Sequence, residues 1–161
     1  MHVYRLLSVA GAALLIPVLV SAGGDTSKPI AVDLATFEFK VPKEKEALFS
    51  HNVGEDKLAF YANGSAEAKV KIPKDGAYEI VVKASEDKAL NEGAKFKVSL
   101  DGKQVGKETE ISGGEPKEYK FATPLKAGER KLAIEFTNDV FKEGEYDRNF
   151  YVHAVTVKAV K

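Results

Sequence analysis

The chain has 161 residues, 24 Lys plus Arg set against 24 Asp plus Glu, and neither cysteine nor tryptophan. Balanced charge excludes the basic surface on which nucleic-acid binding depends, and the lack of cysteine excludes disulfide staples and thiol chemistry. The length allows one domain whose apolar core is large enough to hold itself together.

Arg5 precedes an apolar run from Leu6 to Val20, which ends on Val20-Ser21-Ala22, a small-residue cleavage pattern, before the polar Gly23-Gly24-Asp25-Thr26-Ser27. Residues 1–22 are expected to be a signal peptide, residues 23–29 a short linker and residues 30–161 the folded domain. The apolar run falls short of the ~20 residues of a membrane-spanning helix, and Pro17 interrupts it. No membrane attachment is therefore expected after cleavage, and the protein is expected to be secreted or periplasmic.

Beyond Pro29, apolar and polar residues alternate with period two over Ile30 to Lys40, Leu58 to Ala62, Glu67 to Ile72, Ala77 to Ala84, Ala94 to Leu100, Lys117 to Phe121, Lys131 to Phe136 and Phe150 to Lys158. Each reads as a strand with one buried face. Between them stand Asn63-Gly64, Lys74-Asp75-Gly76, Asn91-Glu92-Gly93, Asp101-Gly102, Ser112-Gly113-Gly114 and Ala127-Gly128, where Gly, Asn or Asp tolerate the positive φ of tight turns. Asp101-Gly102 is the clearest two-residue hairpin. Pro42 to Ala47 reads as a single helical turn. The expected fold class is all-β: a two-sheet antiparallel β-sandwich with jelly-roll topology. Its expected core is Ile80, Val81, Phe96, Val98, Leu100, Leu132, Ile134, Phe136, Val152, Val155 and Val157.

Catalytic constellations are thin, and no enzyme activity is expected. His51 falls in a predicted loop, and His153 alternates with Val152 and Val155, which suits a packed histidine better than a general base. Ser65 and Ser85 stand in no G-x-S-x-G elbow. The oxygen-rich segment is Thr137-Asn138-Asp139-Val140-Phe141-Lys142-Glu143-Gly144-Glu145-Tyr146-Asp147-Arg148-Asn149, between the last two predicted strands. Calcium takes 6 to 8 oxygen ligands, and a glycine-containing loop bracketed by Asp139 and Asp147 supplies several. The alternative is a polar hairpin loop whose Asp and Asn side chains cap turns.

Phe136-Thr137-Asn138-Asp139, with Tyr146-Asp147-Arg148-Asn149-Phe150-Tyr151-Val152, resembles the ending of the calcium-dependent xylan-binding modules, carbohydrate-binding module families 36 and 60. Leu58-Ala59-Phe60-Tyr61-Ala62-Asn63 resembles a strand end of family 36, and the resemblance extends over essentially residues 30 to 160. It implies a surface calcium ion, Ca2+, whose open positions are filled by vicinal hydroxyls of a polysaccharide such as xylan or galactan. Asp139 and Asp147 match the carboxylate ligands, while Tyr61 and Tyr146 match positions that give main-chain carbonyls. With no tryptophan present, Tyr146, Phe141 and Tyr61 are the candidates for stacking on a sugar, although whichever of Phe60 and Tyr61 faces inward belongs to the core. Arg148 and Asn149 are expected to fix the loop, with sugar contact as their other role. At the positions of the family's second, structural calcium this chain departs from the pattern: Asp33 stands near one of them, while Ala35 and His153 replace acids at the others.

The sequence thus reads as an exported carbohydrate-binding module whose partner is a polysaccharide or oligosaccharide and, beside it, a separately encoded glycan-active enzyme. The alternative is an envelope structural or protein-interaction sandwich that kept the calcium loop without glycan binding.

Overall fold

The computed structural model describes residues 28–52 and 56–160, so the expected signal peptide and most of the linker lie outside the described residues. Its strands are β1 (Ile30–Val32), β2 (Glu38–Lys40), β3 (Phe49–Asn52), β4 (Lys57–Phe60), β5 (Gly64–Ile72), β6 (Gly76–Asp87), β7 (Lys95–Leu100), β8 (Lys103–Glu110), β9 (Lys117–Leu125), β10 (Gly128–Phe136), β11 (Phe141–Lys142), β12 (Tyr146–Asp147) and β13 (Asn149–Ala159). One sheet runs β3-β4-β13-β6-β9 with β1 also paired to β13, and the other runs β2-β5-β10-β7-β8. The pairings are antiparallel. Most connections carry the chain from one sheet to the other, which gives the expected jelly-roll sandwich.

The single strand expected over Ile30 to Lys40 is instead two. A 3-10 helix at Leu34–Thr36 divides it, and the Asp33 carboxylate accepts from the Ala35 N–H at 2.9 Å to hold that turn. β1 therefore joins β13 while β2 crosses to β5 in the opposite sheet. Asp33, placed near a structural-calcium position by the family resemblance, is here a turn cap. The helical turn expected after Pro42 is present as the 3-10 helix Lys43–Leu48. His51 lies on β3 and not in a loop; its Nε2 is 2.7 Å from the Phe37 carbonyl oxygen.

Between the sheets, the expected core residues are buried, with one exception in role. Ile80 and Val82 face the core cluster, whereas Val81, buried too, stands outside it on the other face of β6. Phe150 is the hub, with ring centroids 5.2 Å from Phe60, 5.1 Å from Phe96 and 5.7 Å from Phe136. Val152 and Val155 are both buried although an odd spacing would put them on opposite faces of a regular strand. A register shift between Val152 and Ala154 absorbs His153 as an extra residue and restores the inward phase for Val155 and Val157. The displaced His153 is half-buried, with Nε2 at 2.7 Å from the Ser85 hydroxyl.

Two turns show local chemistry setting the register. Asp101 and Gly102, at φ 50 and 78, close the β7–β8 hairpin with Leu100 opposite Lys103; this is the primed turn that matches strand twist. Gly64, at the start of β5, lies so close to β3 that an added Cβ would sit 2.6 Å from the Phe49 ring.

Candidate functional site

β10 ends at Phe136, and the loop after it is sewn down residue by residue. The Thr137 N–H donates to the Lys95 carbonyl at 3.0 Å, and the Thr137 hydroxyl donates to Glu108 Oε1 at 2.8 Å. Asn138 spans two backbone groups, accepting from the Lys95 N–H at 2.6 Å and donating to the Gly93 carbonyl at 3.0 Å. The Asp139 N–H then donates to Asn63 Oδ1 at 2.7 Å. Asn63 therefore ties Asp139 to the end of β4, two residues beyond Tyr61.

The glycine-containing segment folds back on itself as the β11–β12 hairpin, with Phe141 opposite Asp147 and Lys142 opposite Tyr146. Opposed residues of an antiparallel pair project to the same face, so Phe141, 65 % exposed, stands beside the Asp147 carboxylate. Tyr146 is half-buried.

Arg148 and Asn149 turn inward. Arg148, 3 % exposed, donates through Nη1 to the Asn138 carbonyl at 2.5 Å and through Nη2 to the Ala89 carbonyl at 2.8 Å. Its donors are thus committed to carbonyls of the loop and of the turn around Ala89. Asn149, 6 % exposed, donates from Nδ2 to Asp147 Oδ2 at 3.0 Å and to Asp87 Oδ2 at 3.1 Å. Asp87 also accepts from the Tyr151 hydroxyl at 2.5 Å. Burial first, and then this hydrogen bond, raise the Tyr151 pKa far above the ordinary phenol value, so its proton stays in place.

Phe60 is the inward residue of its pair, fully buried, and Tyr61 is the outward one at 37 % exposure, packed edge-on against Tyr151 with centroids 6.1 Å apart. The structure thus gathers Asp139, Asp147, Asn149, Arg148, Phe141 and Tyr61 at one end of the sandwich. Asn63, Asp87 and Tyr151 complete the arrangement; Asn63 and Tyr151 fall within the family-resembling segments without being singled out as site residues, and Asp87 carries no sequence signal of its own. Asp87 becomes a neighbour only because β6 and β13 pair Asp87 with Asn149.

The donor set suits a hard cation. Among the described residues, buried side-chain oxygens without a hydrogen-bond partner include Asp139 Oδ1 and Asn149 Oδ1, and both belong to this cluster. The Asn149 amide cannot flip to relieve the second, since that would aim its oxygen at two carboxylates. Leaving a buried acceptor unmet costs about 1–3 kcal/mol, a cost that a nearby cation would relieve. Burial, reinforced by the nearby Asp147 charge, raises the Asp139 pKa above the usual carboxylate value, against the opposing pull of Arg148 and Lys45. Among the described residues no group of three or more His, Cys, Asp or Glu converges on one point. An ion held here therefore draws its further ligands from amide and main-chain oxygens, the pattern of calcium and not of zinc.

Residues 79–161, a little over half of the chain, match the family model described as a Ca-dependent, xylan-binding carbohydrate-binding module, CBM60. Among solved structures, the fold is similar to the CBM36-1 domain of a multidomain xylanase from the hindgut metagenome of Trinervitermes trinervoides. The TM-score is 0.63 and the identity 12 %, over 83 % of this chain and 99 % of that one. It is also similar to a family 35 carbohydrate-binding module from Clostridium thermocellum, at a TM-score of 0.56 and 12 % identity over 83 % and 99 % of the two chains. A CBM36 module in complex with calcium and xylotriose gives a TM-score of 0.55 at 14 % identity, over 83 % and 99 %. Comparison with curated proteins returns no match. Carbohydrate-binding modules are non-catalytic domains, and this protein is not an enzyme; with its sandwich fold and the matched residues, the chain belongs to the CBM60 family of carbohydrate-binding modules.

Proposed function

We propose that this protein is an exported module that binds xylan-like or galactan-like polysaccharide through a calcium ion held by Asp139, Asp147 and the main-chain carbonyls of Tyr61 and Tyr146. The observation that carries the reading is the pair of buried, unpartnered oxygens, Asp139 Oδ1 and Asn149 Oδ1, gathered around the Asp147 carboxylate at the sandwich end. Calcium at such a site keeps open positions occupied by water, and two vicinal hydroxyls of a sugar replace two waters without loss of coordination. Phe141 and Tyr146 offer the apolar surface beside it, and Asn149 holds the ligand carboxylate in place. The calcium and xylotriose bound by the CBM36 module support the same chemistry here.

Equilibrium binding to soluble xylan and galactan, in calcium and again in excess chelator, tests the proposal. Binding in calcium that disappears on chelation is the expected result. Binding that survives chelation undiminished would overturn the metal-bridged mechanism, and calcium binding with no glycan binding would favour the structural sandwich.

Export rests on Arg5, the Leu6-to-Val20 run and Val20-Ser21-Ala22. Mass spectrometry of the exported protein should give a chain that starts at Gly23, and an intact Met1 would contradict it.

A further inference from the structure

Arg148 does more than hold the metal loop. Besides the Asn138 and Ala89 carbonyls, its Nε donates to the Glu92 carbonyl at 3.2 Å, and its Nη2 lies 3.1 Å from the Glu92 carboxylate. One buried guanidinium therefore locks the turn Ala89-Leu90-Asn91-Glu92 to the residue preceding Asp139. The turn closes through the Glu92 N–H, which donates to the Ala89 carbonyl at 3.0 Å, and both central residues have positive φ, 53 for Leu90 and 60 for Asn91. This is the primed two-residue geometry in which Asn-Gly is at ease. Asparagine visits the left-handed region readily, whereas the Cβ of leucine crowds the following carbonyl oxygen there. Leu90 is nevertheless 61 % exposed, so no burial of its side chain compensates that unfavourable backbone.

The rest of the surface gives this residue a context. Besides Leu90, the large apolar side chains exposed among the described residues are Leu48, Tyr61, Phe141 and Val160. Three of them, Leu90 included, lie on segments joined to the carboxylate site. Phe141 stands opposite Asp147, Tyr61 leads to Asn63, which holds Asp139, and the Leu90 turn is tied through Arg148 to Asn138, the residue before Asp139. Apolar groups from separate segments thus accompany one site built for hydroxyl oxygens. A pyranose presents both surfaces at once: hydroxyls at its rim and apolar C–H groups on its face.

We propose that Leu90 is a glycan-contacting residue which, with Phe141, extends the binding surface beyond the sugar held by calcium, so that the ligand is a run of several sugar units and not a single residue or a chain end. The inference rests on the calcium-mediated reading above. Arg148 keeps this apolar tip in register with the metal loop, because both are anchored to the same guanidinium. The energetic cost of leucine in the turn is offset when the sugar chain covers it.

Leu90→Asn tests this without threatening the fold, since asparagine suits the left-handed turn and the thermal midpoint should hold or rise. Calorimetry in saturating calcium should show roughly three- to tenfold weaker binding of xylohexaose or galactohexaose, the loss expected from one partly covered leucine side chain. Affinity for xylobiose or galactobiose, and for calcium, should stay at the wild-type value. Unchanged affinity for the long ligands would overturn the proposal and leave only a strained turn, as would an equal loss for long and short ligands. A wild-type protein that binds no oligosaccharide in calcium overturns the calcium-mediated reading itself, so the two failures are distinguishable.

Discussion

Asp147→Ala is expected to lose calcium and glycan together, with calcium affinity falling by about a hundredfold or more, since the outer partners of metal ligands alone cost 10–100-fold when removed. Asp147 is a charged oxygen donor, and the Asn149 amide holds its Oδ2 at 3.0 Å. Its loss leaves the ion short of its usual 6 to 8 oxygens and frees one of the two Nδ2 contacts of Asn149. Asp139→Ala should follow the same pattern and also remove one of the two unpartnered oxygens. Neither change should destabilise the calcium-free fold, because each relieves repulsion between the two carboxylates. Titration first with calcium and then with xylo- or galacto-oligosaccharide reads both affinities. Variants that keep wild-type calcium affinity would make these residues turn formers only.

Phe150→Ala should be the most destabilising single change in the core, at about 3–5 kcal/mol out of a total stability on the order of 5–15 kcal/mol. Phe150 is fully buried and touches the rings of Phe60, Phe96 and Phe136, so its removal leaves a void bordered by stiff aromatic walls from both sheets. Such walls collapse poorly, and the cost of a cavity rises with the volume that stays open. In thermal unfolding the midpoint should drop by roughly 10–20 °C. Below that midpoint calcium affinity should change far less than in Asp147→Ala, because no ligand has been removed. A loss under about 1 kcal/mol would mean that the core repacks around the site, as cores do when volume is recovered.

The strands read from period-two alternation are real strands, because a residue's side of a half-buried sheet is fixed by its parity in the chain. Asp101-Gly102 was equally legible, since positive φ at adjacent positions is a local demand that only a few residues meet. Strands lacking clean alternation were not legible: β3, with Phe49 its sole fully inward apolar residue, most of β8, whose lysines and glutamates keep to the surface, and the two-residue strands of the β11–β12 hairpin. The break in Ile30 to Lys40 also escaped, because Leu34 and Phe37 continue to bury apolar surface while the chain changes sheets.

For the site, Asp139 and Asp147 stood out in the sequence because eight positions of one loop hold them together, and the family resemblance assigned them a task. The sequence could not place Asp87, Asn63 and Tyr151 beside them, nor turn Arg148 inward to Ala89 and Glu92. Those contacts join residues 56 to 76 positions apart, and a contact of that range is created by strand pairing and not by local preference. In the same way, Val152 and Val155 were recognisable as apolar, but only the bulge at His153 lets both face the core. The sequence by itself determined the all-β class, the tight turns and the two bracketing carboxylates, since each follows from what neighbouring residues can adopt or supply. The tertiary structure alone decided which oxygens are buried without partners, which arginine clamps the loops and which apolar side chains remain exposed around the site, because burial and partnership arise only when distant strands pack.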